Sequence, residues 1–276
     1  MGIPIPIGGG RGGIVGIIIA VLVALVGGGF PQRRHERRRR RAGRQHLAGA
    51  EVLGAGRAGS STAATRSTST RSRRTGVPPC RRRSASRPSK TVFFSQNVSP
   101  ACGAADSGVG PFYCPADDLV YIDLSFYKLL ADQLGAEGEF AQPYVLAHEY
   151  GHHVQDLLGT EAQMRRQQQR DPQSANALSV KLELQADCYA GAWAKNATGT
   201  ADDKGQKIFT SITEQDISQA IDTAEKIGDD AIQQRSGRPV NPDEFTHGSS
   251  EQRKQWFTKG FTTGDPKSCD TFGSGA

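Results

Sequence analysis

Residues 143–158 read PYVLAHEYGHHVQDLL, and the fold is decided by how this stretch is read. Pro143 suits a first helical turn, where a backbone N–H is not needed, and Gly159 stands just beyond the last residue. The stretch therefore predicts one helix over 143–158. Tyr144, Val145, Leu146 and Ala147 precede its polar centre and Val154, Leu157 and Leu158 follow it, the pattern of a mostly buried amphipathic helix. At that centre, His148-Glu149-Tyr150-Gly151-His152 is an H-E-x-x-H pattern. Positions i and i+4 share a helix face one turn apart, so His148 and His152 can present two imidazoles to a single ion. Glu149 lies one residue round from the first of them, within reach of a water on that ion. The alternative is a pair of surface histidines met by chance. The apolar flanks count against it, because two imidazoles and a carboxylate are costly in a buried helix unless an ion or hydrogen bonds compensate them. Gly151 costs about 1 kcal/mol against Ala inside a helix. It predicts a close approach by another backbone or by a metal ligand.

A catalytic zinc takes three protein ligands and keeps one position open. Glu183-Leu-Gln-Ala-Asp187, on a second predicted helix over 175–195, supplies the third. Glu183 and Asp187 again share a face. Glu183 is the expected ligand, and Asp187 the acceptor for the N–H of one ligating histidine, which would fix its tautomer. Leu182, Leu184, Ala186, Cys188, Tyr189, Ala190 and Trp193 surround these acids, so the helix reads as buried rather than as a solvated acidic face.

Outward from these helices, 91–94 (TVFF) and 119–125 read as strands, a helix starts over 125–134, and a third long helix covers 214–234. No βαβ alternation and no internal repeat is present. The expected class is α+β and helix-dominated, with one small sheet.

Residues 148–155 (HEYGHHVQ) and 183–193 (ELQADCYAGAW) together resemble the bacterial neutral zinc metallopeptidases, a membrane-anchored group with a gluzincin-type site. Residues 99–103 (SPACG), 110–117 (GPFYCPAD), 121–126 (YIDLSF), 245–253 (FTHGSSEQR) and 264–272 (GDPKSCDTF) are similar too. The resemblance covers residues 91–276 and the glycine-rich, apolar front end. It fails over 31–90, where such proteins carry an acidic and aromatic start to the domain. It implies a zincin-like fold, one zinc per chain on His148, His152 and Glu183, Glu149 as general base, and a peptide or protein substrate. His247, in Phe-Thr-His-Gly, is a candidate donor to the oxyanion of a tetrahedral intermediate, or equally a satisfied structural histidine. His153 points about 100° from its neighbour, which favours a buried hydrogen bond over ligation. Cys188 lies about 140° round the helix from Glu183 and suits a pairing with Cys269 better than the same ion. Cys102 and Cys114 enclose a Gly- and Pro-containing loop that suits a local disulfide. Cys80 is assigned nothing. Asn97-Val-Ser and Asn196-Ala-Thr are glycosylation sequons by pattern alone.

The front of the chain divides differently. Residues 1–11 form a Gly-rich tail. Residues 12–30 hold no charge and are long enough to nearly span a hydrocarbon core of roughly 30 Å, so they read as a retained membrane anchor rather than a cleaved signal. Residues 31–90 carry 17 Arg and one Lys against two Glu, with no aromatic residue and no Ile. Such a segment cannot bury enough surface to order itself. It is either a true low-complexity linker or the out-of-frame reading of a GC-rich gene. The formal charge of +6 arises in this segment, for the rest of the chain is acidic, and that excludes a nucleic-acid function argued from overall charge. Arg33 to Arg44 would keep its side of the membrane cytoplasmic by the positive-inside rule, whereas four cysteines in the C-terminal part suit an oxidising compartment. The expectation that follows is a membrane-anchored zinc peptidase with its domain, 91–276, outside the cytoplasm. A zinc-binding scaffold with little activity is the second reading, and an Arg-rich nucleic-acid binder, needing a genuine 31–90 segment, the third.

Overall fold

The computed structural model describes residues 88–136, 138–202 and 204–273. The expected tail, the anchor at 12–30, Cys80 and all but the last three residues of the Arg-rich segment lie outside the described residues. Among the described residues no helix is long and apolar enough to cross a membrane.

The described residues open with five strands: β1 (Lys90–Phe94), β2 (Asn97–Val98), β3 (Ala105–Asp106), β4 (Phe112–Cys114) and β5 (Leu119–Asp123). β5 is the centre of a three-stranded sheet ordered β1-β5-β4. β1 runs parallel to it, with Lys90 opposite Leu119 and Phe94 opposite Asp123, and β4 runs antiparallel, with Phe112 opposite Tyr121. Val120, Tyr121 and Ile122 are all buried, because the middle strand is covered on both faces. β2 and β3 pair separately. The strand expected over 119–125 stops at Asp123. Its carboxylate accepts a hydrogen bond from the Ser125 N–H at 2.8 Å and so caps helix α1 (Leu124–Leu134) instead.

Helix α2 (Ala141–Leu158) carries the H-E-x-x-H pattern and begins two residues before Pro143. It ends on Gly159 at φ 76°, a left-handed conformation that glycine adopts without the clash of a Cβ. Helix α3 (Thr160–Arg170) follows directly and was not expected. Met164 is its one buried apolar side chain, so it offers no apolar periodicity to read. Helix α4 (Ala175–Asn196) matches the second predicted helix.

The helix expected over 214–234 is two helices, α5 (Glu214–Lys226) and α6 (Asp229–Arg235). The break falls at Gly228, whose extended backbone lies so close to Ser250 that a Cβ would collide with its N–H. Ser250 starts the last helix, α7 (Ser250–Thr263), also unforeseen, which a Ser249–Gln252 capping box opens. α7 lies along α4 with glycine on both sides of the crossing. A Cβ on Gly191 would strike the Phe257 carbonyl, and one on Gly260 the Cys188 carbonyl.

The main core gathers Phe126, Leu130 and Leu134 of α1, Tyr144 of α2, Ala190 of α4, Ala220 of α5 and Phe257 of α7. Burying each large apolar side chain contributes about 1.5–3 kcal/mol. Two disulfides close the periphery. Cys102–Cys114 ties the loop before β4 to that strand, and Cys188–Cys269 ties the C-terminal segment to the middle of α4.

Candidate metal centre

α2 and α4 pack closely because Gly151 faces the backbone of Ala186, 3.1 Å from where a Cβ would stand. That approach brings the two polar faces together. His148, His152 and Glu183 are all buried, and their ligand atoms lie within 4.8 Å of one another. His148 Nε2 is 3.1 Å from Glu183 Oε2, and His152 Nε2 is 3.5 Å from Glu183 Oε1. Two imidazoles and one carboxylate form a donor set that suits zinc.

Each imidazole is held from behind. His148 Nδ1 stands 2.8 Å from Asp187 Oδ1. Asp187 is itself fixed on all sides: it accepts from the Tyr144 hydroxyl at 2.7 Å and from Arg253 Nε and Nη2 at 2.9 and 3.0 Å. Arg253 is wholly buried, an arrangement that a guanidinium tolerates only when paired. His152 Nδ1 stands 2.8 Å from Gln155 Oε1, three residues further along α2.

The electrostatics demand positive charge at the centre. Burial would raise the Glu183 pKa, but the imidazoles of His152 and His148 hold it well below the usual carboxylate range. Burial would lower His148, yet Asp187 and then Glu183 push it up to about 9. His152 is likewise raised by Glu183 against the effect of burial. For Asp187, Arg253 and His148 outweigh burial and depress the pKa. Glu149 is raised, because burial outweighs the opposing pull of His152 and His148.

Three buried atoms mark what is missing from this balance. His152 Nε2 and both carboxylate oxygens of Glu149 make no side-chain hydrogen bond of good geometry, with only the Tyr113 backbone and the Glu183 carboxylate near them. A buried polar atom without a partner costs about 1–3 kcal/mol, and more if charged. A cation at Nε2 and a water at Glu149 would satisfy all three, so the residues fit a metal ion.

The structure also places the other candidates. His153 does not join the cluster, and its Nδ1 lies 3.0 Å from the Tyr113 hydroxyl. Asp229 accepts the backbone N–H groups of Thr246, His247 and Gly248 on one oxygen, and stands 3.0 Å from His247 Nδ1 with the other. A groove of about 860 Å³, lined in part by Val180, Leu184, Phe245 and Trp256, includes none of the three candidate ligands in its lining.

Comparison with known proteins matches residues 2–272 to the family described as "Putative neutral zinc metallopeptidase". The chain is 50% identical to "Uncharacterized protein YpfJ" of Escherichia coli (strain K12) over 185 residues, 67% of this chain and 61% of that protein. It is 47% identical to "Uncharacterized protein Rv2575" of Mycobacterium tuberculosis (strain ATCC 25618 / H37Rv) over 182 residues, 65% of this chain and 61% of that protein. The chain thus spans about 61% of the length of the curated relatives it matches. No solved structure matches it.

Proposed function

We propose that this chain, which belongs to the neutral zinc metallopeptidase family, hydrolyses peptide bonds with one zinc on His148, His152 and Glu183. The observation that carries the reading is Glu149: a fully buried carboxylate beside the imidazoles of His148 and His152, with no side-chain hydrogen-bond partner. A zinc ion in this site would supply a Lewis acid that polarises the scissile carbonyl and lowers the pKa of a bound water to about 7.

The protein's own groups do the rest. Glu149 takes a proton from the attacking water as its oxygen bonds to the carbonyl carbon. It then gives the proton to the departing amine as the C–N bond breaks. Asp187 holds His148 through Nδ1, which leaves Nε2 on the Glu183 side where it would hold the metal, and Arg253 and Tyr144 keep Asp187 in place. His247, with Nδ1–H directed to Asp229, would in its protonated form donate from Nε2 to the oxyanion.

We further place the domain outside the cytoplasm on a membrane anchor at 12–30, a reading supported by the uncharged run there and by two disulfides in the described residues. The scaffold reading is less favoured, since a closed structural site has four protein ligands and no use for a buried carboxylate without a side-chain hydrogen-bond partner.

Glu149→Gln tests the chemistry. The amide keeps the shape and can hydrogen-bond a water but cannot accept its proton. Zinc content and melting temperature should match wild type, while chelator-sensitive cleavage of a peptide library falls at least about a hundredfold, mainly in kcat. Cleavage at the wild-type rate would remove Glu149 from the mechanism. A library that wild type never cleaves would favour the scaffold.

A further inference from the structure

The two histidines of the centre are supported by different chemistry. Behind His148 stands an ionic group, Asp187 with Arg253. Behind His152 stands a chain of neutral amides. His152 Nδ1 lies 2.8 Å from Gln155 Oε1, and Gln155 Nε2 donates to the Leu182 carbonyl at 2.7 Å and to Gln185 Oε1 at 3.1 Å. Gln185 Nε2 in turn donates to the Cys269 carbonyl at 2.8 Å. Gln155 and Gln185 are both buried.

The direction of every bond in this chain follows from its two ends. A backbone carbonyl only accepts, so Leu182 and Cys269 fix which end of each glutamine amide carries nitrogen. With Gln185 donating to Cys269, its oxygen faces Gln155. With Gln155 donating to both Leu182 and Gln185, its oxygen faces His152. The His152 Nδ1 must then carry a proton, because an unprotonated nitrogen would face an oxygen lone pair. In the neutral ring, Nε2 is left with its lone pair bare. Among the described residues it is the one buried histidine nitrogen without a well-formed hydrogen bond, and it points toward Glu183, 3.5 Å away. The far end of the chain is also closed. Cys269 is bonded to Cys188, one turn along α4 from Gln185.

We propose that Gln155 and Gln185 are positioning residues that hold His152 in its Nδ1–H tautomer, with Nε2 presented to the metal, and that their anchor is the crosslinked C-terminal segment at Cys269. This inference rests on the zinc reading above. It adds that one ligand is oriented without any charge. The amide relay fixes the proton on His152 Nδ1 through an uncharged acceptor, whereas the acceptor behind His148 is a carboxylate. The relay also explains why a glutamine stands three residues after the second histidine on a helix face that is otherwise apolar or metal-ligating.

Gln155→Met keeps the length and volume of the side chain and removes its polar atoms. In the full chain, zinc affinity measured against a chromophoric chelator should fall about 10–100-fold, as it does when a ligand's hydrogen-bond partner is removed. Gln185→Met leaves the bond to His152 in place but frees the amide to turn, so a smaller drop is expected. If the first variant fails to fold, the second carries the test. The readout that a packing defect would not move is the tautomer. With six histidines in the chain, ¹⁵N–¹H spectra of the imidazoles can be assigned ring by ring. The zinc-loaded wild type should show a protonated Nδ1 at His152, and Gln155→Met should lose that signal while His148 keeps its own. Unchanged zinc affinity and an unchanged His152 signal in Gln155→Met would overturn the relay and leave the metal centre standing. A wild-type chain that takes up no zinc would overturn both.

Discussion

Arg253 and Asp187 carry opposite charges into the protein interior, and the pair shows how a single residue underwrites the site. Both side chains are fully buried. Removing one partner of such a pair leaves an uncompensated charge, which typically costs about 3–5 kcal/mol. Arg253→Met should therefore lower the urea-unfolding free energy by roughly that amount. Stability equal to wild type would mean that the Tyr144 hydroxyl and His148 suffice for Asp187. At this scale the sequence was informative where chemistry dictates spacing. His148, Glu149, His152, Glu183 and Asp187 could be placed because i and i+4 share a helix face. Arg253 could not, because nothing in its local sequence says that it reaches a carboxylate 66 positions earlier. Gln155 stood in plain view within the motif, but a glutamine on a buried helix has no ligand chemistry to announce it.

Helices gave themselves away in the sequence where apolar spacing and caps agreed, as α2 and α4 did. They were missed where packing alone decides. α7 has only Phe257 as a large fully buried apolar residue, and its place is set by the glycine crossing with α4. The interruption between α5 and α6 depends on Ser250, more than twenty residues downstream, and a local reading cannot see it. The crossing yields its own prediction. Gly260→Ala would press a methyl group into the backbone of Cys188, which cannot yield as a side-chain tip can. Overpacking of this kind costs about 1–3 kcal/mol and here should sit at the upper end, read as a lower melting temperature. Gly199→Ala, where nothing lies near the added methyl, is the control and should leave the melting temperature unchanged. A Gly260→Ala protein as stable as that control would mean that α4 and α7 do not cross this closely.

For the whole molecule, the packing of α2 on α4 serves one end, the meeting of two helix faces over a charge-demanding centre. α7 and the C-terminal segment at the Cys188–Cys269 disulfide bear on it from outside. α7 does so through Arg253, and the C-terminal segment through the Cys269 carbonyl. A helix-dominated α+β class was readable from periodicity. The order β1-β5-β4 was not, because β4 is only three residues long and its pairing is a long-range matter. The central claim is that His148, His152 and Glu183 share one ion, and metal analysis of the full chain and of Glu183→Gln tests it most directly. Glutamine keeps the shape of the side chain but replaces an anionic ligand with a neutral amide that zinc binds poorly. Wild type should hold one zinc per chain, and the variant almost none, after dialysis against a chelator that leaves wild type loaded. A Glu183→Gln chain that keeps its full zinc would contradict the shared ion.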